Sequence, residues 1–429
     1  MYSTILGSFL NSLNALRSYV DCMNDAIKKK EEGTFERRES ASYILAMLLR
    51  DCILTKEKGE VSYLDKVSDL FEPEMSEDTK MRLESCITEI EELVDECEMK
   101  DGSMNTYIPL PKELKKEYKE IESMQKQKTI LYNGSLMLLI TYYENLIAGL
   151  FREDFIKYPD RIHLDSKSVT YKILEELNDI AEIKRHLVDE EVVSMMYKSH
   201  EDWVKYFTDK MKLELIYINE NITTITEIIA RRNLLVHNNG KVNSIYINLT
   251  GNKEIKKGAT ISVTQEYLQY AIDVIEIAGF SLVTEMWLKN SKGDEDEVGK
   301  LDSIMYSECL EGENWLLGRY LYAMCCKDKK ISEAERLMFK INMWQCEKRL
   351  GEFEKVKADI EMLDLSAALP RYRLAVLALL ENEKEFFEVF DKQSDIDEET
   401  LKEWPIFRDI REGEEFQYRY GNIDVEEGV

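Results

Sequence analysis

Apolar side chains return every three to four residues through run after run of this sequence. That spacing lays a single apolar stripe along an α-helix, so the chain is committed to burying helical faces against one another. The early runs cover 5–30, 36–56, 61–71 and 76–98, and the later ones 112–157, 166–186, 201–237 and 264–288. Only 6 Pro and 18 Gly interrupt 429 residues, and a hydrophobic content of 44% argues against long disordered stretches. The expected class is all-α.

A chain of 429 residues exceeds what one hydrophobic core usually holds, so two or three domains are expected. The segment 101–111, with Gly102 and two prolines, reads as one boundary, and the polar, charged stretch NSKGDEDEVGK at 290–300 reads as a linker. These mark an N-terminal helical domain at 1–111, a central block at 112–290 whose four long helices suffice for a bundle, and a C-terminal block at 300–429. Within the central block, the β-type runs SIYINL and ATISV are expected to pair as a small hairpin excursion. The C-terminal block resembles, loosely and without a measurable period, the helix pairs of tetratricopeptide repeats. The aromatic tail from Trp404 is expected to cap that array.

Several chemistries are disfavoured by residue content alone. The formal net charge is −27, of which 1–128, 129–290 and 291–429 carry −8, −5 and −14, so nonspecific attraction to nucleic acid or anionic lipid is opposed. The most apolar run, 129–151, contains Glu144, and an acid at the bilayer centre costs roughly 2.5–3.5 kcal/mol, which favours a buried helix over a membrane span. Eight scattered cysteines without a CxxC pair, and a start without a basic signal-peptide region, fit reduced core thiols in a cytoplasmic protein. The four histidines, His163, His186, His200 and His237, lie 23, 14 and 37 residues apart, which matches no zinc spacing. No glycine-rich phosphate loop and no GxSxG elbow is present, so neither metal nor cofactor is expected.

What remains is the segment ARRNLLVHNNG at 230–240, which ends a long amphipathic helix. Asn233 and His237 are four residues apart and share a face, so the amide is placed to hold one imidazole tautomer. Arg232 lies five residues before His237, or about 140° around the axis. In the apolar run upstream, Glu144 is the only charged residue between Lys128 and Arg152. A lone buried carboxylate requires a basic partner or neutralisation, and Arg232 or Arg231 is available within the same block.

An Arg-Asn-x-x-x-His motif closing a long helix, after an earlier helix with an embedded polar residue, resembles the HEPN superfamily over about residues 130–290. The resemblance implies a HEPN-like four-helix bundle and a metal-independent ribonuclease of the antiphage-defence or toxin kind, acting as a homodimer on an RNA substrate. Its catalytic positions here are Arg232, Asn233 and His237, with Glu144 as the polar residue of the earlier helix, and the products it implies are 2′,3′-cyclic phosphate and 5′-hydroxyl ends. Histidine suits the task of taking a 2′-hydroxyl proton, and the permanently charged guanidinium fork suits the phosphorane. Arg231 and Lys241 flank the motif and are candidate RNA-binding residues, although surface solubility accounts for them equally well. A different reading of the same residues is a non-catalytic scaffold, in which the bundle dimerises or binds a nucleotide and the acidic C-terminal block recruits a protein partner.

Overall fold

The computed structural model describes residues 1–32, 112–163, 166–177, 179–252, 254–366 and 368–421. The helices expected at 36–56, 61–71 and 76–98, and the boundary at 101–111, lie outside the described residues. Two compact units divide the chain: one holds Met1–Asn14, Leu138–Thr260 and Gln269–Val429, the other Ala15–Met137 and Ile261–Leu268. All-α is the outcome, and among the described residues the only β pairing is an isolated antiparallel bridge between Lys241 and Thr260.

Two long helices, α1 (Tyr2–Glu32) and α2 (Lys112–Lys157), contribute to both units. In the smaller unit Leu16, Val20, Leu131 and Tyr132 are buried, and the Tyr132 hydroxyl donates to Asn24 Oδ1 at 2.7 Å. In the larger unit, Leu139, Ile140, Tyr143, Leu146, Ile147 and Leu150 form the buried stripe of α2. One window of α2, within Glu122–Lys157, is long and apolar enough to cross a membrane, and half of it is buried inside the protein.

Further helices of the larger unit follow at α3 (Tyr171–Leu177), α4 (Ile180–Met196), α5 (His200–Asp209), α6 (Ile216–Glu220), α7 (Ile222–Asn238), α8 (Ser244–Thr250) and α9, which as a whole spans Gln265–Ser291. The periodic run at 201–237 is observed as three helices, α5, α6 and α7. Helices α5 and α6 are separated where Lys212 and Leu215 take left-handed backbone, with the Glu285 carboxylate of α9 accepting from the amides of Glu214 and Leu215 in that turn, and α6 and α7 are separated at Asn221. Helix α9 is apolar on nearly every side, with Ala271, Ile275, Ala278, Phe280, Val283 and Met286 all buried, as expected of a central helix. At Gly279 a β-carbon would stand 2.7 Å from the Phe9 ring and 2.8 Å from Leu146, so glycine is what lets α1, α2 and α9 approach there.

The hairpin expected from SIYINL and ATISV does not form. Residues Ser244–Thr250 are helix α8, because Asn243 caps its first turn by accepting from the Tyr246 amide and Gly251 closes it in a left-handed conformation. Local capping overrides the strand propensity of the isoleucines. ATISV contributes only the Lys241–Thr260 bridge.

The stretch 290–300 is not an extended linker. Its acidic run DEDE starts α10 (Glu295–Met305), with Asp294 capping the Glu297 amide, where acids meet the positive end of the helix dipole. Trp287 of α9 donates from Nε1 to Glu297 Oε2 at 2.9 Å across the turn. Residues on both sides therefore belong to one unit. A π-helical turn (Tyr306–Glu311) leads to α11 (Trp315–Lys327) and α12 (Glu333–Arg349), which pack as a pair, and α14 (Pro370–Leu379) and α15 (Glu383–Gln393) form another after the short α13 (Lys357–Glu361). Asn314 reaches back to donate to Glu276 Oε2 of α9 at 3.0 Å. The described residues close with α16 (Glu398–Glu403), α17 (Arg408–Arg411) and α18 (Glu414–Tyr420), and Phe407 and Phe416 there are buried. Cys309, Cys325 and Cys346 are buried thiols whose ionisation is pushed up by burial, as core packing requires.

Candidate functional site

The motif helix α7 buries Ile225, Ile228, Ala230 and Leu234 and leaves its last turn at the surface. Its end is sharply set. Asn239 takes a left-handed conformation, Gly240 has φ +72°, and the Gly240 amide donates back to Leu234 O at 3.0 Å. The Asn238 side-chain amide donates to the Lys241 carbonyl, closing the loop that follows. The helix stays regular through Asn238, so Arg232 and His237 keep the angular separation of about 140° that five residues impose.

Arg232 turns inward. Its Nη2 donates to Glu144 Oε1 of α2, and the two side chains are 17% and 32% exposed. Of the two arginines available to that carboxylate, the structure selects Arg232. The neighbouring Arg231 is turned by about 100° and pairs within α7, its Nε 2.8 Å from Glu227 Oε1. Tyr246 of α8 donates its hydroxyl to the same oxygen at 2.6 Å, and burial together with that hydrogen bond pushes the phenol up to about 12. Arg231 thus sits in a polar cluster with Glu227 and Tyr246. Glu227 and Tyr246 were not singled out from sequence, although Glu227 and Arg231 have the i, i+4 spacing that signals a helix ion pair.

The side chains of Asn233 and His237 are exposed, and neither has a hydrogen-bond partner among the described residues. The expected amide-to-imidazole contact is therefore not formed, since both side chains project into solvent where water competes for them. Lys241 is exposed just past the helix end and is held there through its backbone. The structure accordingly joins Arg232 to Glu144, places Asn233 and His237 at the open end of the same helix, and leaves Lys241 beside it.

The other histidines have separate roles. His200 is 8% exposed at the start of α5, with Nε2 3.2 Å from the Tyr143 hydroxyl, and burial lowers its pKa to about 4. His186 faces Glu190 one turn along α4, and His163 ends a short 3-10 turn with φ +49°. Among the described residues no three His, Cys, Asp or Glu side chains gather as metal ligands. Compared with known proteins, the chain matches no family model, and no curated protein or solved structure is significantly similar to it.

Proposed function

We propose that this protein is a metal-independent endoribonuclease of HEPN type, a cytoplasmic defence or toxin effector whose motif is Arg232, Asn233 and His237. One observation supports the reading above the others: the motif arginine on α7 is tied to the polar residue embedded in the earlier helix α2, through Arg232 and Glu144. In this reading Glu144 positions the guanidinium, and the buried Nε of Arg232, which has no hydrogen-bond partner among the described residues, is donor capacity beyond that contact. His237 accepts the 2′-hydroxyl proton, the 2′-oxygen bonds to phosphorus, and the 5′-oxygen leaves and is protonated. The products are a 2′,3′-cyclic phosphate and a 5′-hydroxyl, and Arg232 stabilises the charge gathered on the phosphorane.

Within one chain His237 points away from Arg232, so the reading includes a second copy docked at the open end of α7 to bring two motifs together. Apolar Val236, Ile245 and Leu249 are exposed on α7 and α8, which pack against each other, and offer surface for that contact. With a net charge of −27, RNA is held by this local site, Lys241 included, and not by a general field. The C-terminal helix pairs, read as tetratricopeptide-like, would receive a protein partner.

A scaffold reading is favoured by the neutralisation of Arg232 by Glu144, which a purely structural ion pair would also produce. The two readings part on induced expression in a bacterial host. The nuclease reading expects growth arrest by the parent chain that His237→Ala relieves at equal protein level. Equal toxicity of the two forms, or equal harmlessness with intact RNA, would favour the scaffold.

A further inference from the structure

A concave site lies in the C-terminal part of the larger unit, far along the chain from the Arg232 motif. It is a cavity of about 380 Å³ between α10, α12, α14 and the Trp404–Ile406 corner, large enough for a small organic ligand. Asp302, Tyr306, Gln345, Arg371, Tyr372 and Trp404 are among its lining residues.

Two of these carry buried polar atoms without partners among the described residues. Gln345 is only 2% exposed, yet among the described residues neither its amide oxygen nor its amide nitrogen has a hydrogen-bond partner, and the buried Asp302 Oδ1 has none either. Folded proteins rarely leave such groups unsatisfied, and exceptions of this kind mark a missing water, ion or ligand. Charge selects among these. The charge that acts on the Asp302 carboxyl is another carboxylate, Glu335, and burial, with that repulsion added, pushes it up to about 6. Arg371 also lines the cavity, but its Nε is bonded to Asp395 Oδ2 at 2.6 Å, and no ion pair joins it to Asp302 among the described residues. The block from 291 to 429 carries −14 overall, which disfavours an anion. Tyr306, Tyr372 and Trp404 supply aromatic faces of the kind that attract organic cations.

We propose that this cavity binds an organic cation, an alkylammonium or guanidinium group, with Asp302 as counter-ion, the Gln345 carbonyl as second acceptor and the three aromatic rings as walls. The cation comes either from a free small metabolite or from an arginine side chain of a partner protein, and both present the same chemistry to the cavity.

The test is calorimetric titration of the full-length protein with agmatine and, separately, with a blocked Gly-Arg-Gly peptide and its citrulline counterpart. Binding of agmatine alone identifies a free ligand, and binding of the arginine peptide over agmatine identifies a protein partner. Both outcomes require that Asp302→Asn weaken binding at least ten-fold and that citrulline fail to bind. Far-UV circular dichroism checks that the variant is folded. Should Asp302→Asn not fold, Gln345→Met is expected to weaken the same titration at least three-fold. Failure of both cationic probes to bind at millimolar concentration, binding of citrulline as strong as arginine, or undiminished binding by the folded variants would overturn the proposal. None of these readouts depends on RNA cleavage.

Discussion

Arg232 on α7 donates to the carboxylate of Glu144 on α2, a contact between residues 88 apart in sequence and mostly withdrawn from water. Removing one member leaves the other partly buried and uncompensated. With side-chain exposures of 17% and 32%, the pair lies between the surface and fully buried cases. Glu144→Gln is therefore expected to cost about 1–3 kcal/mol. Glu144→Gln combined with Arg232→Met should cost less than the two single changes added together. Urea unfolding of the four proteins measures the coupling, and strict additivity would mean that the two groups do not interact.

His200 should make stability fall on mild acidification. Burial holds its folded pKa near 4, below the ordinary value of 6.5, so the folded state favours neutral imidazole. The stabilisation is present above about pH 6.5 and is lost as pH falls, because the unfolded chain takes a proton that the folded chain refuses until about pH 4. The loss attributable to this residue reaches up to about 3 kcal/mol. Comparing urea midpoints at pH 7.0 and 4.5 for the parent and His200→Gln isolates it, the variant having the shallower dependence. Parallel profiles would remove His200 as the source.

Gly279→Ala tests the close approach of α1, α2 and α9. Alanine is the better helix former, yet its methyl would meet the Phe9 ring and Leu146, which are both 3% exposed and have little room to yield. Overpacking of this kind costs about 1–3 kcal/mol. Leu146→Ala in the same chain should recover part of the space, making the double variant less destabilised than the sum, as urea unfolding would reveal.

Truncation after residue 293 is expected to fail as a way of obtaining the central block. It would strip the Glu297 acceptor from Trp287 and the Asn314 donor from Glu276, which is 2% exposed. Soluble yield and the cooperativity of thermal unfolding report the outcome. A well-folded fragment with an unchanged melting temperature would show that these contacts contribute little.

Long helices were legible because their stripes are unbroken: the run at 112–157 is observed as Lys112–Lys157, and that at 264–288 as Gln265–Ser291. Glu144 was legible as a residue in need of a base, since an isolated acid in an apolar helix has few options. Which arginine it takes depends on how α7 is rotated about its axis, and the pattern alone left both open. The failures occurred where end effects outweigh composition. SIYINL has the content of a strand, but Asn243 and Gly251 cap it as a helix, and NSKGDEDEVGK has the content of a linker, but its acids start α10. The solvent-facing attitude of Asn233 and His237 was hidden for a similar reason, because a shared helical face fixes proximity and does not enforce contact.

The most direct measurement is cleavage of total RNA by the purified full-length protein in excess chelator, with the product ends mapped, beside folded His237→Ala and Arg232→Ala variants. The account predicts fragments ending in 2′,3′-cyclic phosphate and 5′-hydroxyl from the parent chain, and a loss of at least a hundred-fold in rate for His237→Ala, the scale typical of removing a general base. Parent-like cleavage by His237→Ala, or products carrying 5′-phosphate ends, would contradict it.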